Sequence, residues 1–336
     1  MSAADQVSIL LSNSPDAEEI MQLAHAVEDA GFSRVWLAET IGLDAASMGA
    51  AIVRETALEI GTAIVSVYSR TPAMLAMMAA TWSRLGGGDR PVHLGIGAGG
   101  QVIVERWHGE SFDLPGTRTK DTLRIIGQAV SGERTDYAGK TRHSSGFQLL
   151  MGRAPAVRVY IGGMGPAMMA MAVEEADGLI LTWQSPRTLR ELRTNFDRDT
   201  ERAGRDPGAC RLVARVYAAV TETPELAYEE VRKEMVEYLV SPPYAKYFRA
   251  AGFTDEVDAV NENFQARNRA GAVAAVGNRL VDEMLVVGTT GAQVLERLQD
   301  YLDAGADEIM IQPVSDSLGG DQRRTIQEVA KAFAFA

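Results

Sequence analysis

The chain has 336 residues, 46% hydrophobic and 23% charged, which is enough apolar material for a full core without covalent staples. Its single cysteine, Cys210, excludes an intramolecular disulfide framework, and no cluster of Cys and His has zinc spacing, so no metal centre is expected. A net charge of −12 opposes phosphate backbones and anionic lipid, no apolar stretch reaches membrane-spanning length, and MSAADQVSIL carries no basic leader. Neither nucleic acid nor a membrane is therefore expected as a partner, and a reducing, cytoplasmic setting is.

Taken in chain order, the β-branched runs that read as strands are residues 7–12, 34–39, 58–66, 91–97, 157–163, 178–183, 211–220 and 307–314. Several are apolar without alternation, as parallel strands covered on both faces require. Helical patterns separate them. Ser14-Pro15, Thr71-Pro72, Ser185-Pro186 and Thr223-Pro224 each set a capping oxygen before a proline at a helix start. Gly31, Gly178 and Gly305, or a neighbour of each, stand where left-handed caps would end helices just before a strand. This grammar predicts an α/β protein, a (β/α)8 barrel or a doubly wound sheet, and the strand number favours the barrel, with residues 1–336 as one domain. Residues 100–117, after the fourth strand, and 241–279, after the helix that follows the seventh, break the rhythm. Both lie on the strand-to-helix side and are expected to wall and cover a substrate pocket, the alternative being surface decoration.

Gly95-Ile96-Gly97-Ala98-Gly99-Gly100 matches a dinucleotide fingerprint, but it sits on the fourth strand and QVIVERWHGESFDLPG after it is no clean amphipathic helix. The glycines are better read as letting a flat ring approach the backbone at a strand end. Gly162-Gly163-Met164-Gly165-Pro166 ends the fifth strand and opens a helix; it is either a phosphate site or a tight turn. Glu39 closes the second strand, placed either to anchor a cofactor or move a proton, or to cap the next helix. His25 and His93 read as structural. His108, in Arg106-Trp107-His108-Gly109, is the histidine to test as an acid or base.

GFSRVWLAE, EIGTAIVSVYSRTPAMLAMMAATWSRLGGG, HLGIGAGG, VYIGGMGPAMMAMAVEEADGLILTW and VVGTTGAQVLERLQDYLDAGADEIMIQPV, in this order along almost the whole chain, resemble the luciferase-like monooxygenase superfamily. The Tyr-Ser-Arg-x-Pro-Ala and Gly-x-x-Gly-Pro-x-Met segments point to its F420-dependent branch, that of methylenetetrahydromethanopterin reductase. The resemblance implies a TIM barrel with insertions after strands four and seven, a flavin or deazaflavin at the strand C-termini, and a non-prolyl cis peptide at Ala63-Ile64. It carries phosphate contacts to the Gly162-Gly163 loop and Thr182, ring contacts to Glu39, Ile64 and the Ala98-Gly99 turn, and further cofactor contacts to Ala63, Ser66, Gly97 and Met164. It also implies a homodimer through the helices after strands two and three. F420-dependent sugar-phosphate dehydrogenases of this superfamily have a histidine after the strand-two acid, and here Thr40 stands there. The base for alcohol oxidation is thus missing.

The expected activity is an F420-dependent reductase delivering hydride to an electron-poor C=N or C=C of a small organic substrate, with Glu39 and His108 as catalytic candidates. The alternatives are an FMN-dependent monooxygenase using reduced flavin and O2, and a barrel that only binds. Arg70, Arg106 and Arg118 are expected near the mouth, where an acidic protein needs local cations to hold an anionic cofactor tail.

Overall fold

Strands that are apolar on both faces need cover on both, and here the sheet obtains it by closing on itself. The computed structural model describes residues 3–11, 14–154, 156–314 and 322–333. Its strands are β1 (Val7–Leu11), β2 (Arg34–Leu37), β3 (Glu59–Thr62), β4 (Val65–Ser66), β5 (Val92–Gly97), β6 (Asp136–Ala138), β7 (His143–Ser145), β8 (Val157–Gly162), β9 (Gly178–Thr182), β10 (Arg211–Val220), β11 (Leu285–Gly288) and β12 (Glu308–Pro313). Counting β3 and β4 as one stave, eight staves pair in parallel in the order β1, β2, β3/β4, β5, β8, β9, β10, β12 and back to β1. This is a (β/α)8 barrel, and its closed parallel ring rules out the dinucleotide-fingerprint reading of Gly95–Gly100.

Several expectations change in detail. The helix Ala17–Asp29 is capped by Asp16, whose carboxylate accepts from the amides of Glu18 and Glu19, so Ser14-Pro15 lies two residues early. Ser12, the last residue of the first predicted strand, lies outside the described residues. Gly178 is not a left-handed cap but the first residue of β9; a Cβ there would stand 2.4 Å from the Tyr160 ring. Gly31 and Gly305 do take positive φ, 86° and 103°. The segment 58–66 divides at residues 63–64 into β3 and β4. The helix Pro115–Ser131 begins inside the 100–117 stretch, and the 241–279 stretch is built from helices Pro242–Ala250, Thr254–Gln265, Arg269–Ala274 and Asn278–Met284. Sequence reading missed β11, which extends the sheet beside the C-terminal half of β10, and the antiparallel β6–β7 hairpin.

Three apolar clusters hold the molecule. One fills the space between staves and surrounding helices, and a second lies under the helices from Pro224 to Met284, including Trp183 and Tyr217. The third, Leu10, Trp36, Ala63, Tyr160, Ile180, Val213 and Met310, draws on six staves and the residue after β3, so it is the barrel's inner filling. Inward positions recur every second residue, which puts Ser8, Arg34, Arg211 and Glu308 one step nearer the N-terminal end.

There the barrel is plugged by charge. Glu308, fully buried, accepts from Arg34 Nη1 at 2.6 Å, Ser8 Oγ at 2.6 Å and Trp36 Nε1 at 3.0 Å. Arg34 also donates to Glu59, and His93 bridges Glu59 (2.9 Å) and the Tyr160 hydroxyl (3.1 Å). Burial, then the Arg34 charge, push His93 from its ordinary 6.5 down to about 4 despite the attraction of Glu59. Burial would raise Glu59, but the His93 hydrogen bond and Arg34 outweigh it and hold the carboxyl at about 2. His93 is therefore neutral when folded, while the unfolded chain takes up its proton below pH 6.5. Between pH 6.5 and 4 the unfolded state binds more protons, so this histidine's contribution is full above 6.5 and shrinks as pH falls toward 4. Urea midpoints of wild type and His93→Asn measured across that interval are expected to converge on acidification. Parallel curves would remove His93 as the cause.

Candidate active site

Two residues beyond the inner filling along each stave, the chain reaches the C-terminal mouth. Ala38, Gly97, Gly162, Thr182, Arg215 and Gln312 hold the inward positions there, small on one side and polar on the other. The segments that follow β1 and β12 at this rim, residues 12–13 and 315–321, lie outside the described residues.

On the small side the strand tips converge. Val65 and Ser66 pair with Ile96 and Gly97, Ile96 with Ile161, and Gly162 with Ile180. The Ala63–Ile64 peptide is cis. Ser66 Oγ donates to the Ala98 carbonyl at 3.2 Å, and Thr62 Oγ1 to that of Gly95 at 2.8 Å. The structure thus brings Ala63, Ile64, Ser66, Gly97, Ala98, Gly99, Gly162, Gly163, Met164 and Thr182 to four neighbouring staves of one rim.

The glycines there serve different ends. A Cβ on Gly95 would stand 2.0 Å from the Thr62 carbonyl oxygen, and one on Gly162 2.6 Å from Ile64 Cγ2, so these two allow strand and side chain to close in. Gly99 has φ +73° with only Ser66 nearby, and Gly100 meets nothing closer than 3.6 Å, so the open surface lies at this turn. Gly163 donates to the Ile180 carbonyl at 3.3 Å, and Met164 Sδ accepts from Gln184. The helix Pro166–Glu175 that follows has no side-chain cap, which leaves its first amides facing the rim without a side-chain acceptor.

Glu39 is tied down. Both oxygens accept from Arg70, Nη2 at 2.7 Å, and Oε2 also takes the amide of Ala45, the first residue of the helix Ala45–Glu55. The pair is largely enclosed, with side chains 17% and 19% exposed. Arg70 also reaches Asp44, the cap of that helix. Of the readings left open for Glu39, this geometry favours the structural one, and it commits Arg70 to the same contact. A Glu39→Ala/Arg70→Ala double-mutant cycle is expected to give a coupling of about 1–2 kcal/mol in urea unfolding; additive losses would contradict the pairing.

The other candidates scatter. His108 ends the π-helical turn Ile103–Trp107 with an exposed side chain, and among the described residues no hydrogen bond or ion pair links its imidazole to the strand tips. Arg106 is exposed on the same turn, whereas Arg118 is buried on Pro115–Ser131. Sequence reading missed Arg215. Its guanidinium donates to Gln312 (2.7 Å), the Tyr217 hydroxyl (2.8 Å) and Glu234 (3.3 Å), and Tyr217 donates to Glu234. Trp183, at φ +61°, stacks on Tyr217 at 4.2 Å. The available signal was one arginine inside RLVARVYAAV, an otherwise apolar strand. Two surface clefts, about 370 and 580 Å³, lie away from this mouth, one against helices Pro115–Ser131 and Pro166–Glu175 and the other between Ala17–Asp29 and Gln322–Phe333.

The profile of the luciferase-like monooxygenase family matches residues 1–308. The chain belongs to that family. Within it, the protein is 27% identical over 319 residues to the 5,10-methylenetetrahydromethanopterin reductase of Archaeoglobus fulgidus, covering 93% of this chain and 94% of the relative. Its fold is shared with the coenzyme F420 dependent tetrahydromethanopterin reductase of Methanopyrus kandleri, with TM-score 0.82, 18% identity and 97% of both chains covered. An F420-dependent secondary alcohol dehydrogenase, solved with an F420-acetone adduct, superimposes with TM-score 0.79 at 17% identity over 100% of this chain and 99% of that one. This luciferase-like protein is thus an enzyme by family. Among its described residues no helix is long and apolar enough to cross a membrane.

Proposed function

We propose that the protein is an F420-dependent oxidoreductase acting as a reductase on an electron-poor C=N or C=C of a small organic substrate. The observation that carries this reading is the shelf at one rim: the cis Ala63–Ile64 peptide, the Ala98–Gly99 turn and the uncapped helix start after Gly163, all on neighbouring parallel staves. A planar ring fits that shelf because Gly99 and Gly100 leave the backbone bare, and a phosphate suits the uncapped amides on either side of Pro166, those of Met164, Gly165 and Ala167. When bound, the deazaflavin would supply the hydride and, reacting poorly with oxygen, would not support monooxygenation. The protein's part is to position it and exclude water. Ile64 would back the ring, Ser66 would border it, Thr182 would reach the phosphate, and Glu39 would hold the helix beside the ring through Ala45 and Arg70.

The direction follows from what the acid cannot do. Glu39 has both oxygens engaged and is followed by exposed Thr40, so no base stands ready on β2's end to take a proton from an alcohol. The similarity to a reductase over nearly the full chain supports the same choice. His108, on its exposed turn, is proposed as the proton donor that the loop would carry to the substrate. Residues 100–117 and 241–279 are proposed as wall and cover of the pocket on a single-domain chain in the cytoplasm. A homodimer is proposed through the helices Ala45–Glu55 and Pro72–Leu85, on the second of which Met74 and Met77 are 53% and 42% exposed.

Titration of the purified protein with F420 and with FMN, followed by fluorescence quenching, tests the cofactor. Micromolar or tighter F420 binding is expected. Tight FMN binding with none for F420 would overturn the reading in favour of a flavin-dependent monooxygenase, and binding without reduction of any imine or enone would favour a barrel that only binds.

A further inference from the structure

Beside the shelf, two arginines face each other without enough partners. The carboxylate of Asp121 pins the tip of the β6–β7 hairpin to the helix Pro115–Ser131, accepting from Tyr137 Oη (2.8 Å), Thr141 N (2.7 Å), Thr141 Oγ1 (2.6 Å) and Arg142 N (3.2 Å). This holds Arg142 where its Nη2 donates to the Val67 carbonyl at 3.1 Å, next to Ser66 on the rim. Arg118 lies over the Tyr68 ring at 4.0 Å and reaches one carboxylate, that of half-exposed Glu110, at 3.1 Å. Only 9% of Arg118 is exposed, yet among the described residues its Nε finds no acceptor; nor does Arg142 Nε, and the fully buried Thr122 hydroxyl one turn along the helix is likewise unpartnered. The two cations feel each other, since burial first and Arg118 second lower the Arg142 pKa.

Buried polar hydrogens are rarely left unmade, and like charges are rarely brought together without an anion. Glu110 pairs directly with Arg118; its charge also reaches Arg142, whose guanidinium is hydrogen-bonded, among the described residues, to the Val67 carbonyl rather than to a carboxylate. In a chain of net charge −12, two neighbouring guanidiniums whose Nε hydrogen bonds are unmade stand out, even with Glu110 and Asp121 beside them. Arg70, by contrast, is spent on Glu39 and Asp44.

We propose that Arg118 and Arg142 form a seat for the carboxylates of the cofactor's glutamate tail, beyond its phosphate, an assignment that rests on the F420 reading above. Planar guanidiniums suit carboxylates in paired hydrogen bonds, and the ring of Tyr68 keeps Arg118 aligned for them. The seat thus distinguishes tailed from tailless cofactor and leaves the ring contacts alone.

The test is quenching titration of wild type, Arg142→Gln and Arg118→Gln with three probes: the ring-and-ribityl form lacking phosphate, F420 stripped of its glutamates, and F420 carrying two. Wild type is expected to prefer the diglutamate form over the stripped form by about tenfold. Both variants should lose that preference and part of the salt dependence, with the phosphate-free form bound as by wild type. Arg142, the more exposed of the two, carries the test if Arg118→Gln fails to fold. Variants that keep the wild-type preference, or a change confined to substrate KM, would overturn the seat while the F420 reading stands. Wild type that quenches none of the three would overturn the cofactor reading and the seat together.

Discussion

Replacing Glu308 with alanine is expected to destabilise the protein by about 3–5 kcal/mol, a large share of the roughly 5–15 kcal/mol that holds a typical fold. The carboxylate is fully buried and lowered in pKa: burial opposes its charge, but Arg34 and then Arg211 outweigh the burial. Its removal strands Arg34, whose side chain is 5% exposed, against Glu59 alone, with the Arg211 guanidinium left unopposed nearby. The loss arises mainly from the orphaned cation rather than from the lost attraction. Arg34→Met/Glu308→Leu, which removes both charges, is therefore expected to recover most of the stability. Urea unfolding of the single and double variants reads this directly, and a Glu308→Ala loss below about 1 kcal/mol would show that the plug is solvated.

Gly95→Ala is the second large effect. Its Cβ would enter the space of the Thr62 carbonyl oxygen at 2.0 Å, and a methyl fixed to one strand against the backbone of another has no rotamer to relieve it. Forcing β3 from β5 is expected to cost about 1–3 kcal/mol or more. It should also weaken F420 binding at least tenfold, because Ile64 and Gly97 ride on the two displaced strands. Gly99→Ala provides the contrast. There the difficulty is the φ of +73° alone, worth about 1–2 kcal/mol, with Ser66 Oγ at a comfortable 3.5 Å. A Gly95→Ala protein that melts and binds like wild type would contradict the strand-contact explanation.

How far the sequence could be read follows from what each residue's role depends on. The staves were legible because parallel strands covered on both faces need continuous apolar runs, and Thr71-Pro72 and Ser185-Pro186 announced their helices by local chemistry alone. The rim glycines were legible as a group, chiefly through family resemblance. Arg34, Glu59 and Glu308 were not, since charges at the first residue of a strand look like boundaries with solvent; only closure of the ring turns them inward. Gly178 was misread for a similar reason, because its neighbour in space is Tyr160 on another stave. Asp16 was displaced by the more conspicuous Ser14-Pro15. The Arg118–Arg142 encounter spans a helix and a hairpin whose strands are three residues each, too short for any alternation to be seen.

The ionic plug and the shelf occupy opposite ends of one cylinder, separated by a layer that includes Trp36, Tyr160 and Met310. Ballast and business are thus kept apart. A library that randomises the end proposed to hold the cofactor would leave the keel untouched, and protein engineers could change what that end accepts without first shoring up its foundation.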